Sequence, residues 1–220
     1  MKIKNYLSEG IGTFILLYIG CGAIAYFKDP LTISLSFGLV YFVLFYSFGN
    51  LSGCHFNPII STAALIQKKL TVIDFFLYIL SQFIGGFLGL LFIRIMLPTN
   101  FNPIHSHATQ LCCNGDPIAA IFLELIVSYL FTLTFIGANS KSRNKNIRGL
   151  IICAGVTVIG LIGSIANYSM ANPIKAIMSA FFTGSWKHFF VFLIVPFIGS
   201  ICATYQFIWM HKKEDELNEN

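Results

Sequence analysis

The 220-residue chain (24.5 kDa) is 56% hydrophobic and 10% charged, with a mean hydropathy of +0.76. Soluble domains carry about 25% charged residues, which excludes both a water-facing globule and a disordered chain. The net charge of +5, from 14 Lys and Arg against 9 Asp and Glu, would suit nucleic acid only as a patch on a soluble surface, so no nucleic-acid role is expected.

Apolar runs fall at residues 6–27, 31–50, 72–97, 117–137, 148–166 and 187–210. A bilayer-spanning helix needs about 20 such residues, so six spans are expected. The breaks are Lys28-Asp29-Pro30, Lys68-Lys69, Pro98 to Pro117, Asn139 to Arg148 and Ser185-Trp186-Lys187. The first run carries Glu9 and no small-residue cleavage site follows it, which suits a mature span better than a leader. With six spans, ten cations share one side: Lys2, Lys4, Lys68, Lys69, Lys141, Arg143, Lys145, Arg148, Lys212 and Lys213. Excess Lys and Arg mark the cytoplasmic face, so both termini are expected there. The acidic tail at 211–220 is expected as a solvated, frayed end.

Cys21, Cys54, Cys153 and Cys202 lie in apolar segments, as small buried hydrophobes do. Cys112 and Cys113 share the long connection with His105 and His107, but their spacing fits no standard zinc pattern. No metal or cofactor is expected. No Ser-His-Asp set or acidic metal cluster is evident in the spans, so an enzyme is not expected either.

The chain repeats itself. Glu9-x-x-x-Thr13-Phe14 is echoed by Glu124-x-x-x-Ser128-Tyr129, and Asn57-Pro58-Ile59 by Asn172-Pro173-Ile174, both at an offset of 115 residues. The expected organisation is one domain over 1–220, with repeat one at about 1–98 and repeat two at about 117–212. Three spans per repeat would insert the second copy upside down, with the functional site near the midplane. Residues 57–67 and 172–182 are apolar, helix-compatible and start with an Asn cap and Pro at the first helical position. Eleven residues reach roughly 16 Å, about half of a 30 Å core. They read as two half-helices dipping into the membrane. A third pair, Asn102-Pro103, has no apolar helix after it and reads as a turn.

These residues resemble the aquaporin, or major intrinsic protein, family over nearly the whole chain. Ser52-Gly53-Cys54-His55-Phe56-Asn57-Pro58 resembles that family's S-G-x-H-x-N-P-A signature, and Ser169-Met170-Ala171-Asn172-Pro173 its second one. Gln82 with Gly85-Gly86 and Pro196 with Gly199 also match. The resemblance implies an all-α membrane fold of six transmembrane helices plus two re-entrant half-helices, a homotetramer, and a pore through each subunit. It implies that Asn57 and Asn172 donate hydrogen bonds at the midplane and that Glu9, Glu124 and Gln82 brace the re-entrant loops. His55 would line or prop the cytoplasmic vestibule. The outer filter, carried over by spacing, would comprise Phe37, Gly160, Ser169 and Lys175.

Two departures stand out. Ile59 and Ile174 replace the usual Ala and would narrow or stiffen the midplane. Lys175 replaces the usual Arg, giving a flexible point charge in place of a rigid fork; the alternative for Lys175 is snorkelling out to the interface. Gly160 leaves room as in glycerol-conducting relatives, while Ala176 stands where those carry Asp. The expectation is a passive channel for water and small uncharged solutes (glycerol, urea, ammonia) in a cell membrane, plasma or bacterial inner, excluding protons and ions. The rival is a proton-coupled transporter that uses Glu9 and Glu124 as relays.

Overall fold

The computed structural model describes residues 2–96, 116–140, 144–164, 171–184 and 186–218. The described residues form helices α1 (Lys2–Tyr26), α2 (Pro30–Ser52), α3 (Pro58–Ile66), α4 (Val72–Met96), α5 (Pro117–Ala138), α6 (Arg148–Gly163), α7 (Pro173–Thr183) and α8 (Phe189–Asn218). Four of them start with one local device: an Asp or Asn cap followed by Pro. Asp29, Asn57, Asp116 and Asn172 each accept a hydrogen bond from a backbone N–H of the first turn. The cap satisfies a donor that the helix cannot, and Pro brings a preset φ and no orphan N–H.

Helices α1, α2, α4, α5 and α8 are long and apolar enough to cross a membrane. Their outer faces carry exposed Phe76, Phe122 and Phe190, as a lipid-facing surface requires. The fifth expected span, at 148–166, is described as helix over Arg148–Gly163. Helix α6 has 16 residues and closes at Gly163, where the N–H of Ser164 bonds back to the Gly160 carbonyl; at 1.5 Å per residue it covers only about 24 Å. Helix α1 starts four residues before its apolar run, because Lys2, Lys4 and Asn5 are compatible with helix although polar. The expected frayed tail is corrected as well. Helix α8 continues to Asn218, consistent with the helix-forming Lys and Glu residues there.

Packing follows the repeat. Helix α1 packs mainly on α4, and α5 mainly on α8, while α2 against α6 joins the halves. Each half-helix also leans on the long helix of the other half, α3 on α8 and α7 on α4. Gly85 and Gly199 permit the closest crossings. A Cβ on Gly85 would overlap the Gly10 carbonyl oxygen, and one on Gly199 would lie 2.6 Å from the Leu125 carbonyl oxygen. Gly10 and Leu125 are themselves 115 residues apart.

Gly85→Leu should therefore force α1 off α4, at a cost of roughly 1–3 kcal/mol for overpacking. Gly22→Ala, where an added Cβ meets nothing within 4 Å, should not. The thermal midpoint of each variant in detergent, against the parent, checks the pair.

Candidate functional site: the meeting of the two half-helices

The segments that lead into α3 and α7 turn through strained backbone. Cys54 (φ 55°), Phe56 (φ 48°) and Ala171 (φ 48°) occupy the left-handed region without being glycine, a conformation that persists only where surroundings enforce it. In the first half the enforcement is visible. Glu9, fully buried on α1, accepts the N–H of His55 on Oε1 (2.9 Å) and the N–H of Phe56 on Oε2 (2.7 Å). Gln82 of α4 donates from Nε2 to Glu9 Oε2 (2.9 Å) and to Ser61 Oγ on α3 (3.0 Å). An intramembrane carboxylate is costly unless it is engaged in this way.

The two loops then lock to each other. Asn57 Nδ2 donates to the Ala171 carbonyl (3.0 Å), and Asn172 Nδ2 donates to the Phe56 carbonyl (3.4 Å). Donors and acceptors are both related by the 115-residue offset, so the contact is reciprocal. Amide orientation is settled by the neighbours. Asn57 Oδ1 accepts from the N–H of Ile59 (3.0 Å), and Asn172 Oδ1 from those of Ile174 (3.0 Å) and Lys175 (3.3 Å). An oxygen must face those donors, so the NH₂ group faces the opposite loop. Each amide keeps a second N–H.

Both asparagines line a cavity of about 20 Å³, walled also by Leu16, Leu17, Phe37, Tyr41, Phe131, Val156, Ile159 and Lys175. Polar sites hold a water from roughly 10–15 Å³ upward, so this space suits about one. The N-termini of α3 and α7 meet here, each carrying about half a positive charge. A second cavity of about 430 Å³ opens at the end that holds Lys2 and Lys69, lined also by Asn5, Ser52, His55, Gln67, Asp74, Tyr78 and Asn139. His55 is 8% exposed, with Nδ1 3.1 Å from Ser61 Oγ, and lies in that lining. At its rim, Asp74 takes both oxygens to Lys2 Nζ (3.1 and 3.0 Å) and accepts from Tyr6 (2.6 Å).

Several expectations change. Lys175 is 3% exposed and lines the small cavity, so it does not snorkel. Phe37 lines it too. Gly160 does not: a Cβ there would press on Ser34 of α2 at 2.9 Å, so its missing side chain lets α2 and α6 cross. Ser169 lies outside the described residues, as do His105, His107, Cys112, Cys113 and Asn102-Pro103. Ile59 and Ile174 narrow neither cavity. Both are buried in apolar clusters, Ile174 beside Leu17, Leu90 and Met178. Its Cγ2 lies 2.5 Å from where a Gly86 Cβ would sit, so Gly86 makes its room. Ile59 offers its carbonyl to Ser200 of α8 (2.8 Å). Branched bulk here packs half-helices onto spans.

The loop that Glu124 is expected to brace lies largely outside the described residues, at 165–170. Glu124 is 1% exposed, yet among the described residues neither carboxylate oxygen has a hydrogen-bond partner. The sequence contains the reason for part of its difference from Glu9. The positions 115 residues beyond Gln82 and Ser61 are Phe197 and Ala176, so the donor that steadies Glu9 has no counterpart. Sequence reasoning passed over Ser61, Tyr41 and Phe131; the repeat offset applied to every buried position would have raised the latter two.

Two opposed half-helices held inside a bundle of apolar spans define a membrane channel. The model for the major intrinsic protein family matches residues 1–207, and the chain belongs to that family. It is a multi-pass membrane channel rather than an enzyme. It is 32% identical over 213 residues to glycerol uptake facilitator protein-like 6 of Lactiplantibacillus plantarum, covering 92% of this chain and 96% of that one. It is 24% identical to aquaporin Z of Photorhabdus laumondii, covering 96% of this chain and 100% of that one. The solved aquaglyceroporin from Plasmodium falciparum shares the fold, with a TM-score of 0.78 and 24% identity over 94% and 96% of the two chains.

Glu9→Ala should orphan two buried N–H groups, at roughly 1–3 kcal/mol each. Glu124→Ala should cost clearly less. Thermal unfolding in detergent ranks the two, and equal losses would contradict the asymmetry.

Proposed function

We propose that the chain conducts water and small uncharged solutes, glycerol, urea and ammonia among them, and excludes protons and ions. The carrying observation is the reciprocal asparagine contact, which brings two half-helix N-termini and two amide donors to one cavity about one water wide. An oxygen passing there accepts from both amides. A water so engaged turns its own hydrogens away from the site, which interrupts a proton wire. Lys175 and the two helix ends repel cations, while neutral solutes cross without that penalty.

The outer filter in this reading is Phe37 and Lys175 with Gly160 and Ser169. Lys175 in place of a rigid fork orients a solute less strictly. The printed names of the bacterial facilitator and the parasite aquaglyceroporin favour glycerol among the solutes. Each repeat, about 1–98 and 117–212, supplies one half-helix, and Pro58 and Pro173 start them. Four such chains form a homotetramer. The large cavity beside Lys2 and Lys69 is the cytoplasmic vestibule, with both termini on that side, in a plasma or bacterial inner membrane. The proton-relay alternative is weaker because Glu9 commits both oxygens to backbone N–H groups and Gln82.

Stopped-flow light scattering on proteoliposomes tests the reading. Water and glycerol permeabilities should both exceed those of empty vesicles, without a proton flux. Permeabilities equal to empty vesicles for every solute would refute it. Lys175→Arg should lower glycerol relative to water, and an unchanged ratio would place Lys175 outside the filter.

A further inference from the structure

We infer that Tyr41 and Phe131 form an inner constriction that sets the largest solute the pore admits, an inference that rests on the channel reading above. Besides the asparagines, the lining of the small cavity includes two repeat-related pairs, Leu16 with Phe131 and Tyr41 with Val156, each pair 115 residues apart. Each repeat thus contributes one aromatic and one aliphatic member. All four are at most 4% exposed. The Tyr41 and Phe131 rings meet edge to face, with centroids 5.9 Å apart, and Tyr41 stands 5.9 Å from Phe56.

Tyr41 and Phe131 line the 20 Å³ space and not the 430 Å³ one, and each touches a residue that lines the larger one, His55 and Phe135. Phe135, one helical turn on from Phe131 with centroids 6.4 Å apart, lines the larger space together with His55. A solute moving between vestibule and asparagines therefore has to pass the two aromatic rings. The Tyr41 hydroxyl donates to the His55 carbonyl (3.2 Å). That bond pins the ring and uses the hydroxyl's one proton, so the phenol oxygen can act toward a solute only as an acceptor. A space holding about one water passes a carbon chain only when these rings give way. This narrowing stands apart from Gly160, where an added Cβ would meet Ser34 of α2.

The repeat supplies mild variants. Tyr41→Val copies Val156, and Phe131→Leu copies Leu16, so each installs a side chain that the other half already carries at the equivalent place. In proteoliposomes, either should raise the glycerol-to-water permeability ratio about tenfold, equivalent to about 1.4 kcal/mol of barrier, and should let erythritol pass. Tyr41→Phe keeps the ring and should leave erythritol excluded. The inference fails if the parent conducts while both variants, matched to it in elution and thermal midpoint, keep its ratio. If one of them misfolds, the ratio of the other decides. Permeability at the empty-vesicle level in parent and variants alike would sink the channel reading itself. Conduction by the variants alone would support the constriction.

Discussion

The rest of the structure depends on the hydrogen bonds that Asn57 and Asn172 exchange with the Ala171 and Phe56 carbonyls. Non-helical backbone inside a membrane has no water to satisfy it, and it persists only where protein does so. Two chain segments leave helical geometry at this depth, and each supplies the partner that the other lacks. The left-handed residues Phe56 and Ala171 turn the carbonyls toward the opposite loop. The helix starts at Pro58 and Pro173 then follow directly, with the asparagine oxygens already capping them.

The backbone is symmetric about this contact, but the chemistry is not. Repeat one holds its loop with Glu9, Gln82 and Ser61, a buried network in which each member bonds another. Repeat two has Ala176 and Phe197 at the places of Ser61 and Gln82, and its Glu124 carboxylate finds no hydrogen-bond partner among the described residues. Conversely, the residue 115 positions after Ile60 is Lys175. Ile60 borders the large vestibule and Lys175 the small cavity. One half therefore holds its loop through a buried polar network, while the other places a lysine at the small cavity. A duplicated fold can divide labour in this way because its backbone geometry fixes the caps and the glycine crossings and leaves these other positions free to differ.

Packing explains why Ile can follow both Asn-Pro pairs. The half-helices press on the long helix of the opposite repeat, and Gly86 opens the space that Ile174 fills. The added carbons join the apolar clusters, where burial favours them, and leave the cavity wall to Leu16, Tyr41, Phe131 and Val156. Bulk next to a motif in the sequence is thus not bulk in the path. A helix turns 100° per residue, so neighbouring positions face different surroundings.

Composition and the 115-residue offset were enough to read a membrane chain of two repeats, six apolar runs and two capped half-helices. Those features are local: apolar length, an Asx-Pro start and a repeat are all properties of contiguous residues. The bracing part of Glu9 was legible through the motif, because a carboxylate in an apolar span needs a partner. Which way Gly160, Ile59 and Ile174 point, whether Lys175 stays buried, and which carboxylate is engaged were decided only by the tertiary structure. Each depends on the rotation of one helix against another, and a sequence near-uniform in hydrophobicity carries little periodicity to encode it.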